Sequence, residues 1–190
     1  MEKEFMTNQI SYLVEKCGRP MTSYIFEGDR SFSLEHIRQE YPVYGTTDYR
    51  HPAIEIMQEN GSNISEFKYV GYEILKGKPS LKGLPATYTE SEEEAETLKI
   101  ILKDSLTGAK LTLLYTIFSK GSAIARSAHI CNEGEKVLHL QTMMSLNLDL
   151  PDKDYVWMQL SGAWSRERYV KNRILEQGIT AIDSMRGNSS

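Results

Sequence analysis

From about Asn63 onward, apolar and polar residues alternate at every second position, and this restricts the chain to β-strands with one buried face. Over Thr97 to Lys103, Leu98, Ile100 and Leu102 point one way, with Thr97, Lys99 and Lys103 opposite. Over Lys110 to Phe118, Leu111, Leu113, Tyr115 and Ile117 form one face. Asp104, Ser105, Leu106, Thr107 and Gly108 are turn residues, so the two runs join as an antiparallel hairpin. From Val137 to Leu150 the parity is carried by Leu138, Leu140, Met144, Leu146, Leu148 and Leu150. Read as one strand, that segment spans roughly 45 Å at about 3.3 Å per residue.

Turns are expected at Asn60-Gly61, Gly77-Lys78-Pro79, Lys120-Gly121-Ser122, Asn132-Glu133-Gly134 and Pro151-Asp152-Lys153-Asp154. Short strands punctuated in this way predict an all-β, antiparallel β-sandwich. Ser33 to Glu40 is a helix candidate, with Ser33 as N-cap and Pro42 just beyond its end. The acidic run Glu90 to Glu96 reads as a solvated loop or strand edge, because a clean strand follows it. Gly178 to Ile182 reads as strand-like. No internal repeat or linker divides the 190 residues, a length that fits one all-β domain.

Composition excludes several classes of function. Lys and Arg number 22 against 26 Asp and Glu, a net charge of −4, so the basic stripe of a nucleic-acid binder is missing. No apolar run reaches the roughly 20 residues of a membrane-spanning helix. The N-terminus has no secretory core, and Cys17 and Cys131 lie far apart without a metal-spaced partner, so a cytoplasmic chain with reduced thiols is expected. His36, His51, His129 and His139 show no metal-ligand spacing, so neither a metal nor a cofactor is expected.

Catalysis finds little support. There is no Gly-x-Ser-x-Gly elbow, and Cys131 has no identifiable base. Two carboxylates could serve glycoside hydrolysis, but Asp149, Asp152 and Asp154 sit in an Asp-rich turn, and Asp29, Glu40 and Asp48 are looser still. The aromatic residues carry more information. Tyr155, Trp157, Trp164 and Tyr169 surround Ser161-Gly162-Ala163, a small-residue turn that places Trp164 at a loop tip beside Arg166, Glu167 and Arg168. An indole there suits the apolar face of a sugar ring, while core anchoring remains open for Trp164 and is preferred for Trp157.

Longer strings then become informative. They are Asp29-Arg-Ser-Phe-Ser-Leu, Gln39-Glu-Tyr-Pro-Val-Tyr-Gly-Thr-Thr-Asp-Tyr-Arg50, Gly77-Lys-Pro-Ser-Leu-Lys-Gly-Leu-Pro-Ala-Thr-Tyr88, Glu94-Ala-Glu-Thr-Leu98, Gly162-Ala-Trp-Ser-Arg-Glu-Arg168 and Ser184-Met-Arg-Gly-Asn-Ser-Ser190. In this order, from Asp29 to Ser190, the chain resembles the N-terminal domain of bacterial α-galactosidases of glycoside hydrolase family thirty-six. The resemblance implies a large antiparallel supersandwich of the galactose-mutarotase-like kind, followed in the family by a catalytic (β/α)₈ barrel. It implies retaining hydrolysis of melibiose and raffinose by two barrel aspartates, so no aspartate of this chain inherits a catalytic role. It also implies that Trp164 matches the Gly-Ala-Trp loop that reaches an active site, in tetrameric members that of an adjacent subunit. The family uses the first of two similar Asp-Arg strings. This chain holds the second, which leaves Asp29 without an assigned role.

The same resemblance implies that residues 1–190 are one partial sandwich domain without the barrel. Early strands are missing, and relatives continue past this point with a His-x-x-Asn-Pro-Phe strand. Open edges and apolar faces then predict self-association. Two functions follow as expectations. One is a non-catalytic N-terminal domain that supports oligomer assembly and supplies Trp164 to a substrate pocket; the other is a stand-alone carbohydrate-binding module.

Overall fold

The computed structural model describes residues 40–45, 51–83, 87–148, 150, 154–183 and 185. Among the described residues eight strands follow in order: β1 (Ile54–Met57), β2 (Phe67–Lys76), β3 (Ala95–Asp104), β4 (Ala109–Phe118), β5 (Ile124–Asn132), β6 (His139–Met143), β7 (Val156–Ala163) and β8 (Arg166–Ile174). Two compact units divide the chain, residues 1–149 and 150–190.

In the first unit, β2-β3-β4-β5 form a four-stranded antiparallel sheet, and β1-β6 form a second, two-stranded one. Alternation explains both how the strands pair and what they bury. Leu98 opposes Tyr115, Ile100 opposes Leu113 and Leu102 opposes Leu111, so every second residue of β3 and β4 faces one core. Ile54 and Ile56 of β1 meet that core from the other sheet, and Phe67 closes its end. This is an all-β, antiparallel sandwich, with no closed barrel among the described residues. The β3–β4 connection is held by Asp104, whose carboxylate accepts the N–H of Leu106 at 2.8 Å and of Thr107 at 3.2 Å. Gly108 completes that turn at φ +76°, which a side chain would strain.

Several expectations are corrected. Thr97, placed on the solvent face by alternation, is 0% exposed. Its hydroxyl meets the Thr116 hydroxyl at 2.7 Å and donates to the Gly77 carbonyl at 2.7 Å, because the chain leaving β2 folds back over that face. Val137 to Leu150 is not one long strand. Strand β6 covers His139–Met143, and the register slips between Glu55 and Ile56, whose partners are Thr142 and Leu140. Gln141 is thus an extra residue, a bulge that reverses the parity the leucines had kept. Beyond Met143 the path is irregular, and Leu140, Leu146, Leu148 and Leu150 are exposed. Gly178 to Ile182 is irregular as well, with Ile179 fully in solvent. The acidic run makes one 3₁₀ turn, Glu92–Glu94, before β3 begins at Ala95. Residues 33–39 of the helix candidate lie outside the described residues, as do Asp29, Asp48, Cys17, Asp149 and the turn at 151–153.

The second unit contributes the β7–β8 hairpin and described residues as far as 185. Along it Val156, Met158, Leu160, Val170 and Ile174 share one face by pairing and parity, and all are exposed. Among the described residues, no helix is long and apolar enough to cross a membrane.

Candidate functional site

The tip of the β7–β8 hairpin carries the residue singled out by sequence. Ala163 pairs with Arg166, so Trp164 and Ser165 alone make the turn; Ser161 to Ala163, read as the turn from sequence, end β7 instead. Trp164 is 86% exposed. Ser165 has φ +63°, a left-handed conformation that costs a non-glycine residue about 1–2 kcal/mol. A second departure lies three residues on. The register slips between Ser161 and Ala163, whose partners are Tyr169 and Arg166, so Glu167 and Arg168 both lie opposite Gly162, and Arg168 takes φ +63°.

Two contacts hold this geometry. The Glu167 carboxylate accepts the Ser165 backbone N–H at 2.8 Å. At Gly162 the strands close so tightly that a Cβ would lie 2.1 Å from the Arg166 carbonyl oxygen, so no side chain fits. Arg166 and Arg168 place two guanidinium groups in the sequence next to the indole. An exposed aromatic plane with hydrogen-bond donors nearby can stack on the C–H face of a sugar and hold its hydroxyls. Trp157, for which core anchoring is the preferred reading from sequence, lies on β7 half-buried and outside the core cluster of the first unit.

The first unit holds a different polar group, which sequence reading missed. Arg126 on β5 pairs with the Glu40 carboxylate at 2.8 Å, and both side chains are largely buried. The Tyr115 hydroxyl donates to the same carboxylate at 2.7 Å, and the guanidinium lies 4.9 Å from the Tyr115 ring centre. Arg126 also donates to the Asn147 carbonyl at 2.8 Å. Burial pushes the Tyr115 hydroxyl well above the ordinary tyrosine range, aided by the Glu40 charge and opposed by Arg126. Burial likewise raises Tyr41, whose hydroxyl donates to the Met144 carbonyl at 2.6 Å, to about 12. These groups tie residues 40 and 41 to β4, β5 and the chain after β6, so their role is structural. A sequence signal did exist: Arg126 faces Tyr115 in the strand register, an inward-pointing charge on an otherwise apolar face.

A cleft of about 520 Å³ lies along β5, lined by residues that include Lys78, Thr87, Leu114, Ser127, Met143 and Ser145. Among the described residues that line it there is no carboxylate. Among the described residues no three His, Cys, Asp or Glu side chains converge on a potential metal position. His129 and His139 lie on β5 and β6, and Cys131 is an exposed free thiol.

A β-sandwich with an aromatic hairpin tip defines a class, and comparison with known proteins narrows it. Residues 9–190 match the glycosyl hydrolase family 36 N-terminal domain. Over 162 residues the chain is 49% identical to α-galactosidase AgaA of Geobacillus stearothermophilus, covering 85% of this chain and 22% of that protein. It is 38% identical to an α-galactosidase of Lactobacillus acidophilus with the same coverage. A crystal structure of an AgaA variant in complex with raffinose superimposes with a TM-score of 0.80 at 47% identity, over 91% of this chain and 24% of that one. The α-galactosidase of Lactobacillus brevis gives 0.78 at 34% identity, over 95% and 24%. The chain belongs to glycosyl hydrolase family 36 and is an N-terminal domain of that family. It spans about a quarter or less of the length of these relatives.

Proposed function

We propose that this chain is the non-catalytic N-terminal β-sandwich of a cytoplasmic α-galactosidase, and that it supplies Trp164 to a substrate pocket. The observation that carries this reading is the exposed indole on a two-residue turn held in an unfavourable backbone conformation. Strain of that kind persists only where the surroundings impose it, and a tryptophan left in water on such a turn has no packing role to explain it.

The indole stacks on the apolar face of the galactosyl unit of melibiose or raffinose. The two aspartates that break the bond belong to the barrel, so the chain by itself does not turn over substrate. Assembly of the full enzyme into a homo-oligomer brings the tip to the pocket of a neighbouring subunit. The exposed apolar face of β7–β8 supports the accompanying expectation that the isolated chain self-associates.

The test has three arms. The purified chain shows no release of p-nitrophenol from p-nitrophenyl α-galactoside, and turnover would refute the assignment. In a chimera carrying this chain in place of the aligned segment of AgaA, Trp164→Ala raises KM by about 2- to 10-fold, as loss of one aromatic contact predicts. An unchanged KM would remove Trp164 from the pocket. Calorimetry with galactose, melibiose and raffinose separates the stand-alone carbohydrate-binding module, for which millimolar or tighter binding by the isolated chain is required.

A further inference from the structure

Exposed aromatic tips bind well only if they are held still, since ordering a mobile side chain on binding reduces affinity. The Trp164 tip has unusual demands in this respect. A two-stranded hairpin is marginal by itself, and its turn places a serine in the left-handed region at φ +63°. Serine is a poor choice there unless another group fixes the backbone.

We propose that Glu167 is that group: a positioning residue whose carboxylate clamps the Ser165 N–H and so sets the direction in which Trp164 is presented. The inference rests on the reading of Trp164 as a substrate-pocket residue, and adds to it the residue that acts through the indole. Glu167 stands between Arg166 and Arg168, either of which could pair with it in solvent. Its carboxylate oxygen instead accepts the Ser165 amide at 2.8 Å, a charge-assisted bond across the turn. The backbone is shaped to allow this. The extra residue opposite Gly162 changes how the returning strand presents Glu167, and Gly162 permits the close approach because a Cβ would meet the Arg166 oxygen at 2.1 Å and the Glu167 Cα at 2.9 Å. Arg168 adopts φ +63° to complete the bulge. Two left-handed non-glycine residues within four positions thus converge on one carboxylate–amide bond.

The chain has two tryptophans, so a Trp157→Phe background leaves Trp164 as the sole indole fluorophore. In that background Glu167→Ala is expected at least to double the amplitude of fast indole motion in the fluorescence anisotropy decay. Glu167→Gln retains an acceptor oxygen and is expected to stay near the parent. Without the tryptophan replacement, hydrogen exchange at the Ser165 amide is expected to accelerate at least tenfold in Glu167→Ala and little in Glu167→Gln. Unchanged motion and exchange in Glu167→Ala would overturn the proposal, as would equal loosening by the two variants. In the AgaA chimera, Glu167→Ala raises KM about as much as Trp164→Ala, and the double variant adds little. If Trp164→Ala leaves KM unchanged while Glu167→Ala still frees the indole, the pocket reading fails and the positioning role stands. If Trp164→Ala raises KM and Glu167→Ala does neither, the positioning role fails and the pocket reading stands.

Discussion

The β3–β4 pair and the β7–β8 hairpin are both antiparallel pairs of similar length, yet they invest their side chains differently. In β3–β4 the alternate residues Leu98, Ile100, Leu102, Leu111 and Leu113 are buried against the second sheet. In β7–β8 the corresponding row of Val156, Met158, Leu160, Val170 and Ile174 lies exposed, and every residue of β8 is exposed. The first pair is stabilised by removing apolar area from water, and the second by its backbone bonds and a constrained turn. Stability therefore resides in the four-stranded sheet, and the exposed chemistry resides on the hairpin.

That contrast can be broken in graded steps. Leu98→Ala should cost about 2–5 kcal/mol in urea unfolding, because the residue is fully buried and its neighbours cannot collapse onto the space. A change below about 1 kcal/mol would mean that the sheet is not the stabilising element. Arg126→Met removes the guanidinium that pairs with the Glu40 carboxylate and contacts the Tyr115 hydroxyl, and should cost roughly 3 kcal/mol. Replacing Val156 with Lys, by contrast, should leave unfolding within about 0.5 kcal/mol and reduce self-association in sedimentation, since its side chain is already exposed.

Alkaline titration tests the buried tyrosines. The Tyr41 proton is held to about 12 in the fold, against an ordinary 10.0, so its folded-state pKa is raised. Its contribution is complete below pH 10, where both states are protonated, and is lost between pH 10 and about 12 as the unfolded chain ionises first. Tyr115 acts in the same direction. Urea unfolding across that window should weaken steadily, and Tyr41→Phe should flatten the decline. The turn also has a small effect: Ser165→Gly removes the left-handed strain and should change stability by less than about 1 kcal/mol. A large loss would show that the serine side chain has a role beyond the turn.

Much of this organisation was legible in the residues because local rules set it. Asp104 to Gly108 specified a turn through side-chain capping and a left-handed glycine, and the strand parity on either side of it fixed the register. Trp164 was legible as a tip residue, although the turn is Trp164-Ser165 itself and the small residues 161–163 end the strand before it. The leucines after Val137 misled because a bulge at Gln141 is a property of the pairing with β1, invisible in the strand by itself. Thr97 misled because the segment after Gly77 covers a face that alternation marks as wet. Glu167 went unnoticed as a contact of the turn, since a glutamate between two arginines reads as a solvated charge.

The sequence by itself determined the all-β class, the hairpin connections and the family, because turn chemistry, two-residue periodicity and long motif strings are encoded locally. Tertiary structure decided which polar residues are buried, where β6 ends, and how Gly162, Ser165 and Glu167 combine beneath Trp164. Those outcomes depend on what packs or pairs across from a residue, and a linear pattern carries no record of its partners.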